Sequence, residues 1–173
     1  MTSLPPADLR SQLSALHREG FVWARRCCAH DTGRAEDVLQ EVYLKILDGR
    51  ARFAGRSSFK TWLLALIRLT ALDDWRRAAR HGAHLASLDG APEPATEPLD
   101  AALIRDEEHA DLRTALATLP LRQQEALTLV FYHDLSIAEA ADVMGVALGT
   151  ARTHYERAKQ QLRDALAERI TLP

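Results

Sequence analysis

Apolar residues recur every three or four positions along several stretches of the chain, and this spacing is typical of amphipathic helices. Residues 8 to 48 predict two or three such helices. After a loop from residue 49 to residue 57, a new apolar stripe predicts a helix toward Arg80, with Ser57 or Ser58 as its N-cap. The clearest buried face in the first region consists of Ala35, Val38, Leu39, Val42 and Ile46.

The helical pattern stops between Gly82 and Pro98, where five glycines and prolines prevent a regular helix. The helical pattern then restarts. It predicts one helix that ends at Pro120 and another over Gln124–Tyr132. The leucines that carry the restart are Leu112, Leu116 and Leu119.

A sharper local signal begins at Ser136. A serine there and Glu139 three residues later form the pattern of a capping box, which marks the start of a helix. Gly145 permits the tight turn that ends this helix, and a second helix is predicted over Leu148–Glu168. The two together predict a helix-turn-helix.

No segment shows the alternation typical of a strand. We therefore expect an all-α protein with two small helical domains, residues 1–81 and 106–173, joined by a flexible linker over residues 82–105. The helix-turn-helix belongs to the C-terminal domain.

The charge is distributed unevenly, although the net charge is only −2. Between Arg50 and Arg80 there are eight basic residues and two acidic ones, whereas between Asp89 and Glu108 there are seven acidic residues and one basic residue. The net charge therefore gives no argument for nucleic-acid binding by the chain as a whole, and its average hides a basic segment followed by an acidic one.

Other features exclude several classes of protein. The sequence has no stretch of about 18 apolar residues and no signal-like start, so we expect a cytoplasmic protein without membrane insertion. The adjacent Cys27 and Cys28 are interpreted as reduced thiols rather than as a metal or redox site. We find no nucleophile and base pair, metal cluster or phosphate-binding glycine loop, so we expect no catalysis and no cofactor.

The second helix of the helix-turn-helix has two distinct faces. Its apolar face must pack against the domain, and it carries Ala151, Tyr155, Ala158 and Leu162. Its opposite face carries side chains that can contact base edges in a major groove, although a solvated helix face would look similar. The polar residues are Thr153, Glu156, Arg157 and Gln160, flanked by Arg152, His154 and Lys159.

In the first domain, residues 52–62 mix aromatic rings with cations and small hydroxyls. Such a mixture suits single-stranded nucleic acid. Phe59 and Trp62 lie on the apolar stripe and are predicted to be core, which leaves Arg56, Lys60 and the loop as the contacts.

Four motifs occur together in the order and spacing of one known family, the extracytoplasmic-function sigma factors. The motifs are Ala35 to Tyr43, Phe53 to Leu63, Leu72-Asp73 with Arg76-Arg77, and Leu119-Pro120 with Gly149-Thr150. The chain resembles this family over nearly its whole length apart from the linker. The resemblance implies a transcription initiation factor that binds core RNA polymerase and promoter DNA and is controlled by an anti-sigma factor.

The resemblance also implies roles for individual residues. Asp37, Gln40 and Glu41 would dock on the clamp helices of the largest polymerase subunit, as an acidic patch suits a basic partner. The −10 element would be contacted by Arg52, Gly55, Arg56, Ser57, Ser58, Lys60, Arg76 and Arg77. The −35 element would be contacted by Arg152, Thr153, His154, Glu156, Arg157 and Lys159.

Three positions depart from the family pattern. Leu69 follows Arg68 where many relatives have asparagine, so a polar contact to the −10 strand is missing. His154 stands where arginine is frequent, which predicts a weaker and pH-sensitive contact. Ala147 replaces the usual capping residue before the recognition helix.

The linker cannot itself measure a promoter. Elements about 17 base pairs apart are separated by roughly 58 Å, whereas a free coil of the 24 linker residues averages only ~25 to 30 Å. Polymerase must therefore set the separation. The resemblance implies that the linker follows the path later taken by RNA, where its acidic residues would mimic the transcript. A solvated linker would be equally acidic.

Two other classes of function stay open at this point. One is a helix-turn-helix regulator that binds duplex DNA without polymerase, and the other is a polymerase-binding or anti-regulator module that never contacts DNA.

Overall fold

The structure is a computed structural model that describes residues 6–85 and 115–170. The chain divides into two compact units, Met1–Ala95 and Thr96–Pro173. The described residues contain helices and turns but no strand. Most of the predicted linker, and Leu112 of the predicted restart, lie outside these residues.

The described part of the first unit, residues 6–85, contains four helices. They are α1 (Pro6–Ala15), α2 (His17–Cys27), α3 (Thr32–Leu47) and α4 (Phe59–Leu85). Helices α2, α3 and α4 pack against one another, so the prediction of two or three helices before residue 48 is confirmed with three.

The core of the first unit lies where these three helices meet. Trp23, Leu63 and Ile67 are at most 1% exposed. The indole Nε1 of Trp23 donates a hydrogen bond of 3.0 Å to the carbonyl of Leu64, so α2 is fixed to α4. The predicted buried face of α3 is confirmed, because all five of its residues are buried: Ala35, Val38, Leu39, Val42 and Ile46.

Helix α4 begins as predicted but ends later. The Oγ of Ser58 accepts a hydrogen bond of 3.0 Å from the amide of Thr61, so Ser58 is the N-cap. The sequence prediction ended the helix near Arg80 because of Gly82, but the helix continues through Gly82 to Leu85. A single glycine costs a helix about 1 kcal/mol and does not terminate it when the flanking residues are helical.

The second unit contains a helical turn at residues 115–117, then α5 (Leu121–Leu127), a π-helical turn (Thr128–Tyr132), α6 (Ile137–Met144) and α7 (Leu148–Ile170). The predicted helix Gln124–Tyr132 therefore starts earlier and changes its winding midway. The hydroxyl of Thr128 donates to the carbonyl of Gln124 at 2.9 Å, a contact that loosens a helix. The amide of His133 then reaches the Thr128 carbonyl at 3.2 Å.

The helix-turn-helix is formed by α6 and α7. Ser136 caps α6, and Glu139 completes the capping box because its carboxylate accepts the Ser136 amide at 2.9 Å. Gly145 ends α6 with a φ of 66°, in the left-handed region that favours glycine. The predicted capping box, turn and second helix are thus confirmed. Within the described ranges, no helix is long and apolar enough to cross a membrane.

Candidate polymerase and nucleic-acid interfaces

The exposed side of α3 carries the residues predicted to dock on polymerase. Asp37 and Gln40 are exposed, whereas Glu41 is partly buried. The Glu41 carboxylate lies 2.8 Å from Lys45 Nζ and 2.9 Å from Arg77 Nη2. Burial alone would raise the pKa of Glu41, but the hydrogen bonds and charges of Lys45 and Arg77 outweigh it, so the pKa lies below its ordinary value.

Next to these residues, α2 and α3 form an apolar groove that the sequence prediction missed. Leu44 and Leu47 are each about half exposed along it, at 48% and 51%. Tyr43 is fixed in the groove because its hydroxyl lies 3.0 Å from Nδ1 of His17. In the sequence, Leu44 and Leu47 lie outside the buried stripe of α3. Two leucines outside that stripe are the signal that could have indicated the groove. The groove has a volume of about 470 Å³ and is lined by His17, Phe21, Glu36, Leu39, Gln40, Tyr43, Leu44 and Leu47.

The loop before α4 carries exposed arginines, and its Phe53 belongs to an aromatic cluster. The rings of Phe53, Phe59 and Trp62 pack with centroids 5.4 to 5.5 Å apart, and Phe59 is buried as predicted. Gly55 is exposed with a φ of 69°, which turns the loop outward. Arg56 is exposed beside it.

Other residues predicted to contact the −10 element hold the loop itself. Arg52 Nε donates to the carbonyl of Gly49 at 3.1 Å. Ser57 donates to the carbonyl of Ser58 at 3.2 Å. Lys60 forms an ion pair of 2.5 Å with Glu19 on α2, so its charge is shared with a carboxylate of the same chain.

The C-terminal half of α4 carries exposed arginines on a firmly anchored helix. Arg76 pairs with Asp73 at 3.3 Å, and Arg77 with Glu41. The guanidinium of Arg34 on α3 bonds Asp74 at 2.6 Å and lies 3.8 Å from the centre of the Trp75 ring. The contacts of Arg34 and Arg77 hold the C-terminal half of α4 against α3.

The two cysteines lie beside this anchor. The indole of Trp75 donates to the carbonyl of Cys27 at 3.1 Å. Neither cysteine forms a disulfide, and burial raises the pKa of Cys28 to about 11. Among residues 6–85 and 115–170, no group of three or more His, Cys, Asp or Glu side chains is arranged to hold a metal ion.

Helix α7 has the two faces predicted for it. Ala151 and Ala158 are buried at 1% or less, and Tyr155 and Leu162 are partly buried. The opposite face is open to solvent, because Thr153, Glu156, Arg157 and Gln160 are all exposed, together with Arg152 on the flank.

One of the flanking residues, Lys159, already makes contacts within α7. Lys159 Nζ lies 3.2 Å from the Glu156 carboxylate and 4.9 Å from the centre of the Tyr155 ring. Phe131 stacks on the same ring at 5.9 Å although it is 65% exposed. The sequence does not predict that Phe131 is exposed and stacks on Tyr155. Its neighbours in the chain are helical and apolar, so the local pattern does not separate it from core residues.

Both units match known protein families. Residues 14–81 match sigma-70 region 2, and residues 109–162 match sigma-70 region 4. The chain is 32% identical over 148 residues to the ECF RNA polymerase sigma factor SigC of Mycobacterium tuberculosis, covering 82% of this chain and 75% of SigC. The chain belongs to the extracytoplasmic-function RNA polymerase sigma factors. Its function is that of a sigma factor, which directs core RNA polymerase to promoters.

Another relative of this sigma factor is SigX of Bacillus subtilis, 31% identical over 140 residues, covering 77% of this chain and 71% of SigX. The fold is also found in solved structures. RpoE, crystallised with the anti-sigma factor NepR from Bartonella quintana, gives a TM-score of 0.71 at 23% identity, covering 92% of this chain and 97% of RpoE. CnrH, solved with the cytosolic domain of CnrY, gives a TM-score of 0.57 at 22% identity, covering 91% of this chain and 87% of CnrH.

The two family matches contain every residue proposed above for a site. Region 2 spans α3, the loop and α4 as far as residue 81, and region 4 spans α5, α6 and α7 as far as residue 162. Neither matched family is an enzyme family.

Proposed function

We propose that the first unit of this sigma factor docks on polymerase and opens the −10 element, while the second unit reads the −35 element. The observation that carries this proposal is the exposed polar face of α7, which lies opposite the buried Ala151 and Ala158. Helix α7 follows the capped helix α6 and the turn at Gly145. That is the arrangement with which a helix-turn-helix enters a major groove.

Polymerase would bind the exposed side of α3. Asp37 and Gln40 offer negative charge and an amide, and the adjacent groove offers the apolar area of Leu44 and Leu47. An apolar centre with a charged rim is the usual composition of a specific protein interface. Glu41 would contribute less, because two cations of its own chain share its carboxylate.

The −10 strand would meet the loop and α4. Arg56 and Gly55 lie at the exposed tip, where a flipped base can enter and a cation can hold the backbone. Arg76 and Arg77 would follow the phosphates along α4. Lys60, Ser57 and Ser58 would act by fixing the loop, since each makes a contact within the chain.

The −35 duplex would meet α7. Arg157 and Glu156 are suited to guanine and cytosine edges, and Arg152 and Thr153 to neighbouring groups. His154 and Lys159 are partly buried and would reach phosphates from the flanks.

We further propose that the protein acts in the cytoplasm with polymerase, uses no cofactor, and leaves catalysis to polymerase. RpoE was solved with the anti-sigma factor NepR, and CnrH with the cytosolic domain of CnrY; the first of these complexes supports an anti-sigma partner for this chain as well.

Gel filtration of the full chain with core polymerase, beside duplex-binding assays without polymerase, tests the proposal. A stable complex with core and weak duplex binding by the chain alone are expected. Tight duplex binding without polymerase would instead indicate a free-standing regulator. A stable complex that never contacts promoter DNA would indicate a polymerase-binding module.

A further inference from the structure

Lys159 connects the core side of α7 to its polar side. At about 100° per residue, Lys159 lies about 40° from Tyr155 in one direction and about 60° from Glu156 in the other. Its Nζ lies 4.9 Å from the centre of the Tyr155 ring. The same Nζ donates to both oxygens of the Glu156 carboxylate, at 3.3 and 3.2 Å. One ammonium group therefore contacts a core-facing ring and a carboxylate on the exposed face.

The Tyr155 ring is fixed from two sides. It packs against the buried cluster of Leu119, Leu127 and Ala158, and Phe131 stacks on it at 5.9 Å with an angle of 28° between the ring planes. An aromatic face attracts an ammonium group that lies within about 6 Å of its centre. Because packing fixes the ring, the ring in turn restricts where Lys159 can lie.

Glu156 is the member of this set that faces solvent, since its side chain is 56% exposed and that of Lys159 is 28% exposed. An isolated glutamate on this face would be repelled by DNA phosphates and would rotate freely. Lys159 counters both effects, because it supplies the opposite charge and restrains both carboxylate oxygens. An ammonium group has three donors, so one remains for a phosphate, and the carboxylate keeps lone pairs for a base.

We propose that Tyr155 and Lys159 are positioning residues that hold the Glu156 carboxylate against one base of the −35 element and so set the selectivity at that base. This inference rests on the proposed function, which places Glu156 in the major groove. A carboxylate only accepts hydrogen bonds, so it selects a base with an amino group in that groove, most often cytosine, and is repelled by the acceptors of guanine. A freely rotating carboxylate would turn away from guanine at little cost, whereas a restrained one cannot.

The experiment uses holoenzyme reconstituted from core polymerase and the full chain. Competition binding is measured on a panel of promoters that carry each of the four bases at each −35 position. Glu156→Ala identifies the position concerned, because discrimination among the bases should fall there on the order of tenfold and stay unchanged at the other positions.

Two variants then test the positioning. Tyr155→Leu removes the aromatic face and keeps an apolar side chain, and Lys159→Met removes the charge and keeps a flexible side chain of similar length. Each should lower discrimination at the position identified by Glu156→Ala by about threefold to fivefold and leave discrimination at the other positions unchanged. Tyr155→Phe keeps the ring and should keep full discrimination.

Arg163→Met is the matched control, because it removes an exposed cation one turn further along α7. It should change affinity equally across the panel or not at all. Hydrogen exchange of the α6 and α7 amides shows whether each variant keeps its fold. Should Tyr155→Leu lose protection, Lys159→Met decides, because its side chain lies at the surface.

Unchanged discrimination in Lys159→Met, with a uniform loss of affinity, would overturn the inference and assign Lys159 to a phosphate alone. Equal losses of discrimination at every position in a folded Tyr155→Leu would overturn it too, as would a Glu156→Ala variant that changes no position. If the unmodified holoenzyme discriminates at no −35 position, the proposed function itself fails, and this result is distinct from failure of the positioning.

Discussion

Arg77 on α4 donates a hydrogen bond of 2.9 Å to the Glu41 carboxylate on α3, and Lys45 holds the other carboxylate oxygen at 2.8 Å. Lys45 also donates to the hydroxyl of buried Thr70 on α4 at 3.1 Å. The ion pair joins the helix proposed to bind polymerase to the helix proposed to bind DNA. The ion pair therefore neutralises part of the negative charge of α3 and part of the positive charge of α4.

This ion pair makes the stability of the first unit depend on pH. The folded pKa of Glu41 is lowered, so the contribution of Glu41 to stability is present above its unfolded pKa, near 4, and is lost as the pH falls through the folded value. Glu41→Gln should therefore lower the urea midpoint modestly at pH 7, and the difference from the unmodified protein should disappear as the pH falls through the folded pKa of Glu41.

Tryptophan fluorescence measures this unfolding selectively, because all three tryptophans, Trp23, Trp62 and Trp75, lie in the first unit. Glu36→Gln changes an exposed carboxylate on the same helix and is the control. Identical midpoints for Glu41→Gln and the unmodified protein at pH 7 would show that the pair adds no stability.

Asp37 and Glu41 should contribute unequally to polymerase binding. Asp37 is exposed, whereas Glu41 shares its charge with Lys45 and Arg77. Asp37→Asn should weaken the affinity for core polymerase on the order of fivefold to tenfold at low salt, and Glu41→Gln should weaken it less. Fluorescence anisotropy of labelled protein titrated with core at two salt concentrations measures both. A larger loss for Glu41→Gln would reverse the assignment, and unchanged affinity of the double variant would reject this surface.

Gly145 is the position where a side chain should cost the most in the helix-turn-helix. Its φ of 66° is unfavourable for alanine, whereas Gly149 has no positive φ, and neither has a neighbour within 4 Å of an added Cβ. Gly145→Ala should destabilise this region by about 1 to 2 kcal/mol, and Gly149→Ala should be neutral or stabilise it by up to about 1 kcal/mol. Hydrogen exchange of the α6 and α7 amides in the full chain measures both, and equal protection in the two variants would contradict the backbone argument.

Arg157 should contribute to sequence reading rather than to general affinity. It is exposed on the polar face of α7, and Arg157→Ala should cost on the order of 1 to 3 kcal/mol at one −35 position. Holoenzyme binding to a panel of single −35 substitutions reveals the pattern. A uniform loss over the panel would instead assign Arg157 to a phosphate.

Local patterns predicted the elements well. The apolar stripe of α3, the capping box at Ser136 and Glu139, and the two faces of α7 depend on residues three or four apart, so periodicity identifies them. The end of α4 differs from the prediction, because Gly82 indicates a helix terminus in the sequence but lies within the helix.

Contacts between distant residues were not predictable in this way. Glu41 and Arg77 are separated by 36 positions, and neither periodicity nor motif indicates that they pair. The same holds for Lys60 with Glu19, and for Phe131 on Tyr155. Whether a charged residue faces a partner or its own chain is decided by packing, which local spacing does not record.

Run-off transcription from a promoter library, with start sites mapped by sequencing, tests the central claim most directly. Core polymerase should gain a new set of starts when the chain is added, and these promoters should share two short elements at a constant spacing. Starts identical to those of core alone, despite a stable complex, would contradict the account.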